Sequence, residues 1–523
     1  MAASARQLLW VDDEIDMLAS HFLVLRDRGY EVTGVHSGDD ALEAVQKRRF
    51  DLVLLDEHMP GRDGLATLIE LKKLDPNLPV VMVTKSEEEH LMDQALGQKI
   101  DDYLTKPVNP SQVVSVVKRL LERRKIESEH LARQYVEDFR RLETDSSPNA
   151  HWRYWLDAHQ LMSRWDLEID RFPQLGLDET HREHKRELTA AFGRWVETQY
   201  PRWLERLDAP DRPPLSIDIV PRYVAPHLKA GRKVYFFVID CMRLDHWFGI
   251  EPELVEYFQI ERDYYYSVLP SATPFARNAL FSGLFADEIQ RLYPELWQVG
   301  EKDEFSRNRL ERQLLDQQLA RLGVRLPTEA KYVKVLDFAE GENITKKFSS
   351  YKSAPLLSVV YSFIDHFSHG RTGDEILHEL APDEGAFRRL MKTWFVNSSW
   401  LKLLRKIARD PNAVVIVTTD HGSIMGTRGT VAHGRRDTSA NLRYKYGDNL
   451  NAEPKEAVRV LDPKAWRLPR FTMSTTYLLA KEDFFFVFPT NFNEYQRKFA
   501  DTFQHGGISL PEMVLPVATL TPK

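Results

Sequence analysis

The stretch AVVIVTTDHGSIMG, residues 413–426, decides how the larger part of the chain folds. Its four β-branched apolar residues, 414–417, run directly into the polar sequence TTDH. This pattern is typical of a buried parallel strand that delivers polar groups to its carboxyl end. Open α/β sheets hold their functional sites at that end. We therefore predict a parallel sheet with a functional site that contains Asp420 and His421.

Further carboxylates and imidazoles along the chain could complete a metal site with these two residues. The sequence KVYFFVID, residues 233–240, is a second apolar strand, and it ends in Asp240. Asp365 and His369 are four residues apart, so they share one face if the segment is helical. His505 precedes two glycines near the carboxyl end. Oxygen and imidazole ligands together suit a divalent metal of the zinc type.

A hydroxyl also belongs to this set. Pro274 occupies the position expected for the first residue of a helix, and Thr273 the position of its cap. The free backbone amides of a helix start form a ready anion site. The candidates divide into two sets, Asp365, His369 and His505 for one metal and Asp240, Thr273, Asp420 and His421 for another. Two metals about 4 Å apart can clamp a phosphoryl group.

The order Asp, Thr, Asp-x-x-x-His, Asp-His, His resembles that of the alkaline phosphatase superfamily, and the surrounding sequence resembles its PglZ branch. This resemblance implies a metal-dependent phosphodiesterase or phosphatase with two Zn²⁺ ions and a covalent phospho-threonine at Thr273. A threonine nucleophile favours phosphodiesters in this superfamily. Arg243, Arg277 and Asn278 are auxiliary catalytic candidates, since an arginine could hold a nonbridging oxygen bidentately. Each is equally plausible as a helix-surface residue.

Composition and charge exclude several classes of protein. The chain has 523 residues, enough for two to four domains, and a formal net charge of -7. An acidic chain without a basic helix-turn-helix argues against binding to double-stranded DNA. No apolar stretch approaches a membrane span or a signal core, and a single cysteine, Cys241, allows no internal disulfide. We expect a cytoplasmic protein without membrane insertion.

The first 120 residues alternate strand and helix. Five apolar runs, at 8–11, 31–35, 52–55, 79–83 and 103–105, are separated by helical patterns. This alternation predicts a doubly wound parallel sheet of five strands, with functional residues at the strand ends.

Those strand ends carry a coherent set of charges. Asp12, Asp13 and Asp56 crowd three carboxylates together, and such a group calls for a divalent cation such as Mg²⁺. Lys106 adds a cation and Thr84 a hydroxyl. These are the groups needed to bind phosphoryl oxygens once Asp56 carries them.

The first region, from about residue 5 to 122, resembles the receiver domain of two-component response regulators. That resemblance implies that Asp56 accepts a phosphoryl group, that Asp13 and the carbonyl of His58 hold Mg²⁺, and that Lys106 precedes what is often a cis proline. It also implies that Thr84 and Tyr103 form the switch. Lys85 departs from the family, because a small residue usually follows the switch threonine.

The sequence as a whole suggests three domains. A helical stripe continues beyond residue 111, and two further helical stretches, 151–168 and 181–200, carry aromatic residues at core spacing. We predict a receiver at 1–122, a helical bundle at 123–210 and an alkaline-phosphatase-like α/β domain at 211–523. Two inserted segments are predicted in the last domain. Residues 287–328 read as helical and the polar stretch 429–469 as a loop or lid.

This three-part order resembles that of the PorX-like response regulators, which are linked to type IX secretion in Bacteroidetes. The resemblance implies a sensor histidine kinase, a homodimer formed on phosphorylation, a sigma factor as a downstream partner, and cyclic or linear oligonucleotides as substrates. We therefore expect phosphorylation of Asp56 to control the phosphodiesterase and type IX secretion genes. The alternative is a signalling adaptor whose metal-bound domain binds a protein partner without catalysis.

Overall fold

The computed structural model describes residues 6–75, 77–85, 100–145, 150–297, 310–370, 375–434, 439, 441–487 and 489–523. The chain divides into two compact units, Met1–Glu137 and Asp138–Lys523. Within the described residues, no helix is both long and apolar enough to cross a membrane. The two boundaries between the three domains predicted from the sequence stay predictions.

The first unit is built on a parallel sheet. Its strands are β1 (Arg6–Val11), β2 (Tyr30–Val35), β3 (Leu52–Asp56), β4 (Val80–Thr84) and β5 (Asp102–Thr105). The first helices of the chain are α1 (Ala19–Asp27), α2 (Gly38–Lys47), α3 (Gly64–Leu74) and α4 (Pro110–Asp145). All strand pairs are parallel, in the order β2-β1-β3-β4-β5. The predicted five-stranded doubly wound fold is confirmed.

The continuous apolar strands arise because both faces of this sheet are covered. Along β1, Leu8 and Trp10 belong to one buried cluster, whereas Leu9 and Val11 belong to the cluster on the opposite face. A strand buried on both faces needs an unbroken apolar run, which ends where the chain leaves the sheet. The first polar residue after β1 is therefore Asp12.

The second unit contains the helical stretches and a mixed sheet. The helices that precede the sheet are α5 (Trp152–Arg171), α6 (Asp178–Glu205) and α7 (Ala225–Lys229). The aromatic residues of α5 and α6 form core, as predicted, because the rings of Trp155 and Phe192 and those of Trp155 and Trp195 lie 5.5 Å apart. The ring of Phe192 also stacks on Tyr266, 6.2 Å away. These two helices therefore share a core with the sheet that follows.

The main sheet of this unit has six strands. The strands of the unit are β6 (Lys233–Ile239), β7 (Phe258–Tyr266), β8 (Lys331–Val335), β9 (Leu356–Tyr361), β10 (Ala413–Thr418), β11 (Ile424–Gly426), β12 (Arg428–Val431), β13 (Tyr444–Asp448), β14 (Ala457–Val460), β15 (Thr475–Ala480), β16 (Phe484–Val487), β17 (Thr502–Gln504) and β18 (Val514–Pro522). The six-stranded order is β7-β18-β10-β6-β9-β8. Strands β10, β6, β9 and β8 are parallel to one another. Strand β18 is antiparallel to both of its neighbours, β10 and β7.

Helices connect and flank these strands. They are α8 (Leu244–Ile250), α9 (Thr273–Ser282), α10 (Ala286–Leu292), α11 (Glu311–Arg321), α12 (Phe338–Lys346), α13 (Phe348–Tyr351), α14 (Phe363–Gly370), α15 (Glu375–Leu380), α16 (Glu384–Asn397), α17 (Ser399–Ile407), α18 (Phe492–Phe499) and α19 (Leu510–Met513). The predicted helical insertion at 287–328 contains α11 and most of α10, and its residues 298–309 lie outside the described part of the chain.

The stretch 429–469, predicted as a loop or lid, contributes two strands to a small sheet. Strands β13 and β14 both pair with β15 in a three-stranded antiparallel sheet. Tyr444, Val458 and Val460 carry its apolar surface into the main core. The strands are four to five residues long and interrupted by charges, so no clear period was visible in the sequence.

A buried histidine in α5 makes the stability of the second unit depend on pH. His159 is 6% exposed, and burial lowers its pKa from 6.5 to about 4. The unfolded chain takes up this proton near pH 6.5 and the folded chain does not, so stability present above pH 6.5 is lost as the pH falls towards 4. The loss at pH 5 is about 2 kcal/mol.

We expect His159→Gln to remove this loss. Urea midpoints followed by tryptophan fluorescence at pH 7.5 and 5.0 measure it, and the variant should lose about 2 kcal/mol less than the unsubstituted protein. His130→Gln, the same change at an exposed position, is the matched control. An equal acid loss in both variants would contradict the prediction.

Candidate metal centre and receiver site

Two neighbouring strands deliver the first group of site residues. Strands β6 and β10 are parallel and in register, with Val238 opposite Thr418, so both run out at the same edge of the sheet. Asp240 and Asp420 follow directly. The amide of Cys241 donates to Oδ1 of Asp420 over 3.4 Å, which ties the two strand ends together.

Asp240, Asp420 and His421 form a buried cluster. One ligand atom from each lies within 4.8 Å of the others. Nε2 of His421 is 3.7 Å from Oδ1 of Asp240 and 3.5 Å from Oδ2 of Asp420. Oγ1 of Thr273 lies 2.9 Å from the same nitrogen. The four residues that the sequence assigned to one metal therefore meet around one imidazole nitrogen.

Asp365, His369 and His505 form the second group. Nε2 of His369 lies 2.9 Å from Nε2 of His505, and each nitrogen is 3.3 Å from Oδ1 of Asp365. The ring of His421 stacks on that of His505, with centroids 4.0 Å apart. Asp365, His421 and His505 also offer ligand atoms within 4.8 Å of one another, so the two groups are adjacent.

The polar atoms of both groups fit a pair of divalent cations. Among the described residues, Oδ1 of Asp240, Oδ2 of Asp420, Oδ1 of Asp365 and Nδ1 of His505 are buried without a hydrogen-bond partner. Buried carboxylate oxygens are normally paired, so such orphaned atoms call for a ligand. Nδ1 of His421 lies 3.1 Å from the carbonyl of Gly422, which leaves Nε2 as the ligand atom. Oxygen and imidazole donors in these numbers suit zinc.

Burial and neighbouring charges shift the pKa values of the candidate ligand side chains. Burial, and then repulsion from Asp240, raises the pKa of Asp420 to about 8. Burial also opposes the charge of Asp365, but His369 and His505 outweigh it and hold the pKa of that carboxyl well below its usual range. Burial lowers the pKa of His421 and of His505, which favours the neutral imidazole that a metal ion binds. Added positive charge would suit this site.

The helix start at Thr273 differs from the prediction. Ala272 is the cap of helix α9, and Thr273 is its first residue. The carbonyl of Ala272 accepts hydrogen bonds from the amides of Phe275 and Ala276. Because the cap is Ala272, the hydroxyl of Thr273 is not used for capping and lies beside His421 instead.

The receiver site gathers the predicted acidic residues. Asp12, Asp13 and Asp56 offer carboxylate oxygens within 4.8 Å of one another. Nζ of Lys106 lies 3.0 Å from Oδ2 of Asp12 and 2.9 Å from Oδ2 of Asp56. Burial raises the pKa of Asp56 against the opposing effect of Lys106. The carboxylates and the lysine therefore converge as a cation and phosphoryl site requires.

The predicted switch residues occupy different environments. Thr84 ends β4 and is buried, and its hydroxyl donates to Glu57. The side chain of Tyr103, on β5, is 52% exposed. Lys106–Pro107 is a cis peptide bond. The side chain of His58 is exposed, and its backbone forms a hydrogen bond that lowers the pKa of Asp56.

Comparison with known families identifies the parts of the chain. The model of the family described as "BREX system PglZ alkaline phosphatase-like domain" matches residues 219–520, more than half of the chain. The chain belongs to the PglZ family. A "Response regulator receiver domain" matches residues 8–118 of this PglZ protein, and a "PorX response regulator linker domain" matches residues 125–204. The PglZ protein is thus built as a PorX-like response regulator.

Relatives are similar to a limited part of this PglZ protein. Transcriptional regulatory protein ZraR of Escherichia coli O157:H7 is 39% identical over 114 residues, 22% of this chain and 26% of ZraR. The chain thus spans about a quarter of the length of this curated relative. A CheY-like receiver domain protein from Methanospirillum hungatei JF-1 is 30% identical and covers 24% of this chain and 99% of its own, with a TM-score of 0.23. The receiver domain of NtrX from Brucella abortus is 36% identical and covers 22% and 98%, with a TM-score of 0.21.

Arg277 contacts the candidate ligands of the PglZ domain. Its NH1 donates to Oδ2 of Asp240 over 2.7 Å, and its Nε lies 3.6 Å from Oδ2 of Asp420. The same Nε is 2.9 Å from Oε1 of Glu311. The guanidinium therefore orients the two carboxylates that face His421.

Arg243 and Asn278, the other auxiliary candidates, are engaged elsewhere. Arg243 was a candidate for holding a nonbridging oxygen or, equally, a helix-surface residue, and the structure pairs its guanidinium with Asp245 and, at 2.9 Å, with Glu384. The side-chain amide of Asn278 donates to the carbonyl of Pro274, one turn earlier in the same helix, over 2.9 Å. These contacts favour structural roles for both residues in the PglZ domain.

The sequence reasoning missed residues that support the site. Glu311, which pairs with Arg277, and Asp245, which pairs with Arg243, were not singled out in the sequence, although both are buried. Glu512 was also missed. Its spacing from Ser509 is that of a capping box, and the amide of Glu512 does donate to the hydroxyl of Ser509.

Proposed function

We propose that this response regulator is a zinc-dependent phosphodiesterase controlled by phosphorylation of Asp56. The position of Thr273 supports this most strongly. Its Oγ1 lies 2.9 Å from Nε2 of His421, and His421 belongs to both buried ligand groups. A hydroxyl beside two candidate metal positions is the arrangement that nucleophilic attack on phosphorus requires.

Each side chain then has a distinct role. Asp240, Asp420 and His421 would hold one zinc ion together with Thr273, and Asp365, His369 and His505 would hold the other. Bound zinc would stabilise negative charge on the phosphoryl oxygens. The oxygen of Thr273 forms a bond to phosphorus as the ester oxygen leaves, and water then hydrolyses the phospho-threonine. Arg277 keeps the carboxylates of Asp240 and Asp420 in place.

For the substrate we propose cyclic or linear oligonucleotides. The threonine nucleophile and the PorX-like order of the domains support this choice. We further propose a sensor histidine kinase as the source of the phosphoryl group and a sigma factor that acts on type IX secretion genes as the downstream partner, all in the cytoplasm.

Control of the phosphodiesterase would begin with phosphorylation of the receiver. Lys106 already contacts the carboxylate of Asp56, and the Thr84 hydroxyl points to Glu57. A phosphoryl group on Asp56 would offer both side chains new acceptor oxygens. We propose that the resulting change at Thr84 and Tyr103 produces a homodimer.

Removal of metal should abolish hydrolysis. Treatment of the full chain with EDTA should leave less than about a tenth of the rate on bis(4-nitrophenyl) phosphate, because Asp240, Asp420 and Asp365 would lose the cation that balances them. Zinc should restore the rate at about two ions per chain. Metal content is measured on the same samples by atomic emission.

Two results would count against the zinc-dependent phosphodiesterase, and one of them would favour the signalling adaptor. Hydrolysis that persists after the metal has gone contradicts a zinc-dependent enzyme. Protein that binds two zinc ions and hydrolyses neither chromogenic diesters nor oligonucleotides is instead a binding module, the adaptor alternative.

A further inference from the structure

Arg443 and Glu512 form a buried ion pair next to the loop that carries His505. Nε of Arg443 donates to Oε1 of Glu512 over 3.1 Å, and NH2 donates to Oε2 over 2.6 Å. Both side chains are completely buried. Such a bidentate ion pair fixes the plane of the carboxylate as well as its position.

Glu512 holds the loop that carries His505. Its Oε1 accepts a hydrogen bond from the amide of Gly507 over 2.8 Å, and its Oε2 accepts one from the hydroxyl of Ser509 over 2.6 Å. Between them and His505, Gly506 has a φ of +117°, a backbone conformation that L side chains rarely adopt. Gly506 thus permits the turn, and the carboxylate of Glu512 holds the residues that follow it.

The loop also fits closely around the ion pair. A Cβ atom at Gly507 would come within 2.5 Å of NH2 of Arg443 and of the carbonyl of Ala480. Arg443 in turn donates to the carbonyl of Phe484 and, through its own amide, to Oδ1 of Asn441 over 2.7 Å. The segment that leads into β13 is thereby joined to the ligand loop.

Glu512 also supports the chain that follows His421. The backbone carbonyl of Glu512 accepts a hydrogen bond from the amide of Gly422 over 3.2 Å. A Cβ atom at Gly422 would lie 1.9 Å from the carbonyl of Pro511, so the chain after His421 packs directly on residues 511–512. His421 and His505, whose rings stack 4.0 Å apart, thus rest on one residue.

From these contacts we propose that Glu512, clamped by Arg443, is the positioning residue that sets the spacing of His421 and His505 for the two metals. The proposal rests on the metal centre of the proposed function. Outer partners of metal ligands contribute about ten- to a hundredfold in metal affinity. The carboxylate fixes the loop of His505, and the backbone of the same residue holds the chain after His421, so we expect an effect of that size.

The test compares Glu512→Gln with Asp218→Asn in the full chain. Arg212 clamps Asp218 with contacts of 2.6 and 2.8 Å, and Asp218 also accepts a backbone amide, from Leu215 over 2.8 Å. The control thus removes the charge from a similar pair whose bonds go to Arg212 and Leu215 and not to the loops of His421 and His505. Zinc affinity is measured by competition with a chromophoric chelator, and the visible spectrum of the Co²⁺-substituted protein reports ligand geometry.

We expect Glu512→Gln to weaken zinc binding by about tenfold or more and to shift the Co²⁺ bands. Asp218→Asn should change zinc affinity less than about twofold, even if its melting temperature falls as far. Zinc affinity and Co²⁺ bands that match the unsubstituted protein in a folded Glu512→Gln overturn the proposal. So does an equal loss of affinity in both variants.

A conservative variant covers the case in which Glu512→Gln does not fold. Arg443→Lys keeps the charge and removes the two-pronged contact, so it should weaken zinc binding and broaden the Co²⁺ bands; unchanged values overturn the proposal. Zinc binding is read without hydrolysis. A protein that binds zinc in this way but has no turnover defeats the proposed enzyme alone, whereas one that binds no zinc defeats both.

Discussion

Hydrolysis of a phosphodiester falls at least about 10³-fold when Thr273 is replaced by alanine, while the zinc content stays near that of the unsubstituted protein. This expected result follows from the geometry. The hydroxyl of Thr273 is the group beside Nε2 of His421, whereas the carboxylates and imidazoles around it remain in place to bind metal. Initial rates on bis(4-nitrophenyl) phosphate and metal analysis of the same samples measure the two quantities.

The matched control is Thr393→Ala, the same change at an exposed position in helix α16. It should leave the rate within about twofold, as surface substitutions usually do. If Thr273→Ala keeps its metal and more than a tenth of the rate, Thr273 is not the nucleophile. A variant that loses both metal and rate would show that Thr273 is needed as a ligand, and Thr273→Ser, which restores a hydroxyl, should then recover both.

The second large effect is expected at Asp56. Asp56→Asn should abolish uptake of a phosphoryl group from acetyl phosphate, because an amide oxygen cannot form the acyl phosphate that the carboxylate forms. Lys106 and the carboxylates of Asp12 and Asp13 remain, so Mg²⁺ binding is only weakened. Intact-protein mass spectrometry reads the phosphoryl group, and sedimentation velocity reads the dimer.

Asp39→Asn, which changes an exposed aspartate of the same unit, is the control and should be phosphorylated normally. If Asp56→Asn still takes up a phosphoryl group, another residue is the acceptor. If the unsubstituted protein takes up the group at Asp56 but its mass in solution does not change, phosphorylation does not drive dimerisation.

The elements that the sequence predicted share one physical feature, which is a strand buried on both faces. Strands such as β3 and β10 need unbroken apolar runs, and the polar residues that follow each run lie at the edge of the sheet. Asp56 and Asp420 could therefore be placed at functional edges without a structure. His369 was predictable for another reason, since its spacing from Asp365 puts both on one face of a helix.

The contacts that the sequence did not predict join charges that are far apart in the chain. Arg388 pairs with Asp170, 218 residues away, and with Asp245. Each of these looks like a surface charge in its own helix or loop, because helical spacing says nothing about a partner in another element. The pairing of Arg243 with Glu384 escaped for the same reason. The support of His505 by Glu512 is local in the sequence, but the capping pattern at Ser509 does not indicate that the carboxylate also binds the amide of Gly507.

We expect Thr273 to carry the phosphoryl group during turnover. The decisive measurement is to quench the zinc-loaded full chain with acid during the first turnover of a diester and to map the modified peptide by mass spectrometry. A phosphoryl adduct should appear on Thr273 within the first turnover and disappear when the substrate is exhausted. Steady turnover with no adduct on Thr273, or with the adduct on another residue, would show that Thr273 is not the nucleophile.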